Sequence, residues 1–347
     1  MTEPEYRHLS IGEAAEILAK KEDTLILCHA RPDCDALGSS FALKMLLEAL
    51  GMRAYVACEN EVPHRLQFVK WGEESTLAEN IPQDFADARV VTVDTASPSQ
   101  LGKLSDEYAR RTALMLDHHG VGTQYADGFI NPKAAATGEI IFGISEILLK
   151  NGIITELPNG FYERVYAAIS SDTGCFKYSS VTPETHRIAA KIIERGVDCA
   201  EVNHKLYDGK PYELLRAEKV GFDCLHFYDD GRIAIIEFPY EIKEKYGFAD
   251  ENLETLVDVA RCVEGVSVGA VVKQSEKGGI FRASLRSNEN VDVAKICAVF
   301  GGGGHVKAVA SASSTLFRIS ADGTPRFSGP NATSSSTTVA TSWLSGF

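Results

Sequence analysis

The sequence predicts an α/β fold: an N-terminal, largely parallel sheet flanked by helices, followed by a smaller C-terminal α/β domain. Three observations carry this. The apolar runs TLILC (24–28), RVVTV (89–93) and TALML (112–116) alternate with helix-like stretches, and such β-branched or aliphatic runs suit strands buried on both faces. Beyond the turn-prone Asp208, Gly209, Lys210 and Pro211 the order of elements changes. A length of 347 residues is enough for two domains with separate cores.

Element by element, residues 36–50 show the helical period, with Ser40, Lys44 and Glu48 as a polar stripe and Phe41, Met45, Leu46, Ala49 and Leu50 facing inward. Gly51 then ends the helix. Further helices are expected at 137–150, 161–171 and 183–195, the last with Pro183 in its first turn. Past the turn, strand 232–238, helix 251–263, strands 266–273 and 280–286 and helix 291–300 follow. The expected domains are 1–195 and 216–315, joined by a linker at 196–215. The segment 316–347, with 12 Ser or Thr in 32 residues and only three charges, is an atypical tail expected to pack poorly.

Composition excludes several function classes. With 44% hydrophobic and 24% charged residues the chain is not disordered. A net charge of −13 and a pI near 5.2 exclude wrapping a long duplex, which needs a broad basic face, while a short anion in one basic pocket remains compatible. No apolar run approaches the ~20 residues of a membrane span, and MTEPEYRHLS lacks the features of a secretion signal. A cytoplasmic protein without a membrane partner is expected. Eight scattered cysteines, with no C-x-x-C pair, are expected to be reduced core thiols.

Each of the three N-terminal strands runs into acids or imidazoles: the first into His29, Arg31, Asp33, Cys34 and Asp35, the second into Asp94, the third into Asp117, His118 and His119. The carboxyl ends of strands in an open α/β sheet border the ligand crevice, so these residues should converge. Asp172 follows the expected helix 161–171. A lone Asp after a strand is most often a loop residue or a cap, and Asp33 or Asp35 would serve to cap the helix starting at Ala36. Recurrence at three successive strand ends needs another reason. Four or more carboxylates cannot be desolvated together without a compensating cation. Imidazole with many oxygens favours Mn²⁺, with Mg²⁺ or Co²⁺ as substitutes, over a structural zinc. Two ions about 3.5–4 Å apart, bridged by one carboxylate, would make a clamp for phosphoryl chemistry. Cys34 is expected to be a spectator and Arg31 to tune charge.

The runs HARPDCDALGSS, VTVDTAS, LDHHG and SDTGCFKYSS, in that order, resemble the four motifs of the DHH phosphoesterase family, and RASLRS (282–287) with FGGGGH (300–305) resembles its C-terminal substrate-binding domain. The resemblance covers about residues 10 to 310. It implies one ion on His29, Asp33 and Asp94 and a second on Asp35, Asp94, His118 and Asp172, with Asp94 as the bridge. It further implies that His119 faces the scissile phosphate and that Asp117 orients the histidines. Substrate recognition falls to Arg286, Ser287, Gly301, Gly302, Gly303, Gly304 and His305, where a glycine run lets backbone N–H groups approach an anion and Arg286 supplies a fork of donors.

The length and two-domain plan resemble those family members that degrade very short RNA and dephosphorylate 3′-phosphoadenosine 5′-phosphate. A metal-dependent phosphohydrolase of short RNA oligonucleotides or a mononucleotide is therefore expected, with a homodimer as one open assembly state. The alternatives are a cyclic or linear dinucleotide phosphodiesterase, a pyrophosphatase, and a catalytically idle nucleotide-binding module. A processive exonuclease would need a basic groove or an aromatic platform. The chain departs from the family pattern after GGGGH, where Val306 to Ser311 contains no glycine.

Overall fold

The computed structural model describes residues 6–253, 255–274, 277, 281–288, 291–298, 303–305, 308–313, 316–319 and 325–328. They divide into two compact units, 1–209 and 210–347.

The first unit runs α1 (Ile11–Ala19), β1 (Thr24–Leu27), α2 (Cys34–Ala49), β2 (Ala54–Ala57), β3 (Arg89–Val93), a one-turn α3 (Ser105–Tyr108), β4 (Thr112–Asp117), β5 (Gly128–Ile130), α4 (Thr137–Lys150), α5 (Asn159–Asp172), α6 (Pro183–Glu194) and α7 (Cys199–Asn203). All five strands are parallel, in the order β2-β1-β3-β4-β5. Strands alternate between the two faces of the sheet. Ile26, Val91, Val93, Leu114 and Leu116 pack against the α-helices, whereas Leu25, Leu27, Val90 and Met115 pack under Phe85, Leu101, Leu104 and Tyr108. The chain leaves β1 toward β2 and returns to its other side as β3, so the crevice opens between the carboxyl ends of β1 and β3.

The helix layer corrects one expectation. α2 is buried nearly all round: of the expected polar stripe Ser40 and Lys44 are buried and only Glu48 faces water, as does Ala49, expected to face inward. The Lys44 ammonium pairs with Glu74 and lies 3.8 Å from Glu48, covered by the segment after β2 that the helical period of α2 cannot register. On its other side α2 presses on α5: a Cβ at Gly38 would stand 2.7 Å from the Arg164 carbonyl, and one at Gly138 of α4 would stand 2.8 Å from the Ala168 Cβ. These glycines draw the start of α2 and the start of α4 onto α5.

Residues 196–215, expected as the linker, hold α7, a π-helical turn (His204–Asp208) and the start of α8 (Tyr212–Asp223). The second unit continues with β6 (Leu225–Tyr228), β7 (Ile233–Phe238), α9 (Tyr240–Tyr246), α10 (Leu256–Arg261), β8 (Val268–Gln274), β9 (Phe281–Ser287), α11 (Val293–Ala298), β10 (Gly303–His305) and β11 (Ala308–Ser313). They form a six-stranded sheet, β10-β11-β9-β8-β7-β6, antiparallel except for the β7–β8 pair. α8 and α10 cover one face around Ile236, Phe238 and Val271, and Val293 and Cys297 of α11 pack near Val268 and Leu285. Within the expected tail, β12 (Leu316–Ile319) and β13 (Pro325–Ser328) pair as an antiparallel hairpin; 320–324 and 329–347 lie outside the described residues. Among the described residues no helix is long and apolar enough to cross a membrane. All eight cysteines are free thiols, and Cys262 is exposed rather than in a core.

Candidate metal centre

Because β1, β3 and β4 are parallel neighbours, the residues following them meet at one edge of the sheet. His29 leaves β1, Asp94 leaves β3, Asp117 closes β4 and His118 and His119 follow it. Asp33 is the N-cap of α2, accepting from the Ala36 N–H at 3.0 Å, so capping and proximity to the cluster coincide in one side chain. Asp35 lies in the first turn of α2, and Asp172 is the last residue of α5.

Two groups of possible ligands result, His29 with Asp33 and Asp94, and Asp35 with His118 and Asp172; a third combines Asp94, His118 and His119. His29 Nε2 lies 3.7 Å from Asp33 Oδ1 and 3.8 Å from Asp94 Oδ2. His118 Nε2 lies 3.7 Å from Asp35, 3.6 Å from Asp94 Oδ1 and 3.3 Å from Asp172. Asp94 thus turns one oxygen toward each group. Its backbone takes a φ of 55°, an uncommon region for a residue with a Cβ, and its N–H donates to the Leu116 carbonyl at 2.9 Å.

Hydrogen bonds set the ring orientations. His118 Nδ1 lies 3.2 Å from the Ala134 carbonyl and donates to it, which directs Nε2 at the acids. His119 Nδ1 donates to Asp117 Oδ1 at 2.7 Å, leaving Nε2 on the opposite side of the ring. Asp35 accepts three donors: Ser39 Oγ at 2.8 Å, Thr137 N–H at 2.7 Å and Gly138 N–H at 3.0 Å. The Thr137 hydroxyl donates to Asp94 Oδ1 at 2.9 Å. Thr137, Gly138, Ser39 and Ala134 escaped the sequence reading. Thr137 was legible as the start of a helix, but nothing local says that the N-terminus of that helix meets two acids from other elements.

The electrostatics are those of a crowded set of like charges. Burial, then the neighbouring Asp94, pushes the Asp35 carboxyl up to about 7. Asp172 is raised well above the usual range by burial and by Asp35, Asp33 and Asp94, and Asp94 is raised by burial and Asp33. Burial works against a charged His29, yet hydrogen bonding and charge from Asp33, with Asp94, push it up to about 9. Burial likewise opposes a charged His119, and Asp117 and Asp94 outweigh it to give about 9. Asp33, which burial alone would raise, is held far below the usual range by His29. Hard oxygens, imidazole nitrogens aimed inward and mutually repelling acids fit a divalent cation, which relieves the repulsion and uses every donor. Cys34 takes no part: its thiol points to the Ala167 carbonyl at 3.5 Å and burial, then Asp33 and Asp35, pushes its pKa well up. Arg31 is exposed.

In the second unit, register places His305 opposite Ala308 and Ala308 opposite Arg286, so the two lie in one row, two strands apart. Arg286 is half-buried and donates to the Leu285 carbonyl at 3.1 Å. Ser287 is buried and donates to the Val291 carbonyl at 2.8 Å. Gly303 and Gly304 belong to β10; Gly301 and Gly302 lie outside the described residues.

The chain is similar to known proteins. The DHH family, N-terminal domain, matches residues 23–169, a span holding every member of the cluster except Asp172. The bifunctional oligoribonuclease and PAP phosphatase NrnA of Thermus thermophilus is 32% identical over 298 residues, 85% of this chain and 85% of its own. The Bacillus subtilis protein of the same name is 25% identical, covering 82% of this chain and 87% of its own. An exopolyphosphatase-related protein from Bacteroides fragilis shares the fold, with a TM-score of 0.78 at 23% identity over 87% of this chain and 90% of that one. With 32% identity to a relative over 85% of both chains, and a family match spanning the strand-end acids and histidines, the chain belongs to the DHH phosphoesterase family, hydrolases of phosphate esters.

Proposed function

We propose that this enzyme hydrolyses very short RNA oligonucleotides and the 3′-phosphate of 3′-phosphoadenosine 5′-phosphate in the cytoplasm, using two Mn²⁺ ions. The observation that carries the reading is Asp94, whose two oxygens face two separate groups of ligands. The names of the relatives from Thermus thermophilus and Bacillus subtilis support the substrate class.

His29, Asp33 and Asp94 would hold one cation, and Asp35, Asp94, His118 and Asp172 the other. Such a pair lowers the pKa of a water and neutralises charge gathering on the phosphoryl oxygens. The protein's own groups do the rest. His119, its ring held by the bond from Nδ1 to Asp117, turns Nε2 toward a phosphoryl oxygen, where charge grows as the bond breaks. The exposed side of Asp33, 52% accessible, is where the substrate enters. Residues 216–315 form the substrate-binding domain, in which Arg286 and the row it shares with His305 recognise the phosphate or base of the nucleotide.

The test is a panel with Mn²⁺: 3′-phosphoadenosine 5′-phosphate, a dinucleotide, a five-mer RNA, a 25-mer RNA, a cyclic dinucleotide and pyrophosphate. Rates should be highest for the nucleotide monophosphate ester and for chains of two to five residues, and fall steeply with length. Preference for the cyclic dinucleotide or pyrophosphate, or equal hydrolysis of the 25-mer, would replace the proposed substrate.

A further inference from the structure

We infer that Thr137 is a positioning residue for the dinuclear centre: its hydroxyl fixes the rotation of the Asp94 carboxylate and thereby how that carboxylate is divided between two cations. The inference rests on the two-cation reading above.

A bridging carboxylate has a freedom that terminal ligands lack. Rotation about its Cβ–Cγ bond turns the plane of the carboxylate, and, a half-turn being equivalent, only one orientation of that plane suits a given pair of sites. Asp94 Oδ2 is the oxygen near His29, and Oδ1 is the oxygen near His118 and His119. The Thr137 hydroxyl, fully buried, donates to Oδ1 alone, so the two oxygens are no longer equivalent. Thr137 and Asp94 are both buried, so no mobile donor readily takes the place of that bond.

Thr137 itself cannot shift to follow a rotating carboxylate. Its N–H and that of Gly138 are committed to the two oxygens of Asp35, and Gly138 lies so close to Ala168 that even a Cβ would clash. One residue at the N-terminus of the 14-residue α4 thus ties the acid from α2 to the acid from β3. Both ligands serve the second ion, so loss of the hydroxyl should weaken that ion first, while His29 and Asp33 retain the other.

The test is Mn²⁺ binding, read by calorimetry and by electron paramagnetic resonance of the full chain. The wild type should bind two ions with a spin-coupled signal. Thr137→Val keeps the shape and the backbone donors but removes the hydroxyl; it should weaken one of the two ions about 10–100-fold and replace the coupled signal by that of an isolated ion at two equivalents. Thr137→Ser should restore both properties. Thr137→Ser and Thr137→Ala differ only in the hydroxyl and must show the same contrast if the valine variant does not fold. Unchanged affinities and coupling in Thr137→Val, or equal defects in the serine and alanine variants, overturn the inference. A wild type that binds fewer than two ions, or two without coupling, overturns the two-cation reading instead.

Discussion

The two halves of the acid–imidazole cluster are built differently. Asp35 and His118 are 0% and 6% exposed, whereas His29 and Asp33 are 17% and 52% exposed. Asp35 accepts from three buried donors contributed by two helices, and Asp33 from one N–H of its own helix. The closed half, in which only Asp172 reaches 25% exposure, comes from convergence of helix termini on a strand end. The open half comes from the loop after β1, tied down by Ala30, whose N–H donates to the Gln100 carbonyl and whose carbonyl accepts from Asn60. A catalyst needs both: fixed ligands behind the reacting phosphate and accessible ones where substrate enters.

The residue joining the halves should be the most sensitive. Asp94→Ala removes the carboxylate proposed to serve both ions and should lower kcat/KM at saturating Mn²⁺ at least about a thousandfold. A smaller loss would mean that the halves work separately. Asp117 belongs to neither half, since it only fixes the His119 ring. Asp117→Asn should therefore cost about 10–100-fold in kcat with both Mn²⁺ ions still bound. Loss of an ion in that variant would make Asp117 a ligand and redraw the boundary.

How much of this was legible beforehand also differs by region. RVVTV coincides with β3 and the expected helix 137–150 with α4, because buried parallel strands and long amphipathic helices carry their signal within a few residues. The strand-end acids were legible for a topological reason: parallel strands deliver their C-terminal neighbours to one edge. The supporting donors were not. Ser39, Thr137 and the Ala134 carbonyl act across 4, 102 and 16 residues, and only Ser39 is close enough for a periodic pattern to suggest its partner. The short strands β2 and β5, of four and three residues, went unseen for want of a pattern long enough to show a period. Ser287, expected among the recognition residues, donates its hydroxyl to the Val291 carbonyl, a bond across four residues that no periodic pattern announces.

In the second unit, Arg286 offers a control that separates recognition from metal chemistry. Arg286→Ala should raise KM about tenfold, the worth of one charge-assisted hydrogen bond, with kcat within about twofold and Mn²⁺ affinity unchanged. A variant that lost Mn²⁺ would show that the cluster does not stand on the first unit alone.

The smallest effects should separate the halves most cleanly, because they probe support rather than ligation. Ser39→Ala removes one donor from a fully buried carboxylate, and the Thr137 and Gly138 N–H groups must then carry it alone. Water cannot reach the vacated position, so the cost should be about 1–2 kcal/mol of unfolding free energy, a melting shift of several degrees in the Mn²⁺-loaded protein. Asn60→Ala removes a comparable donor from the Ala30 carbonyl, one residue from His29. That bond is exposed, water replaces it, and the expected cost is below about 0.5 kcal/mol. The two variants delete the same kind of interaction from the two halves, so differential scanning calorimetry of the pair measures burial directly. Equal losses, or a larger one for Asn60→Ala, would break the distinction between a closed half held by the fold and an open half held by a solvated loop.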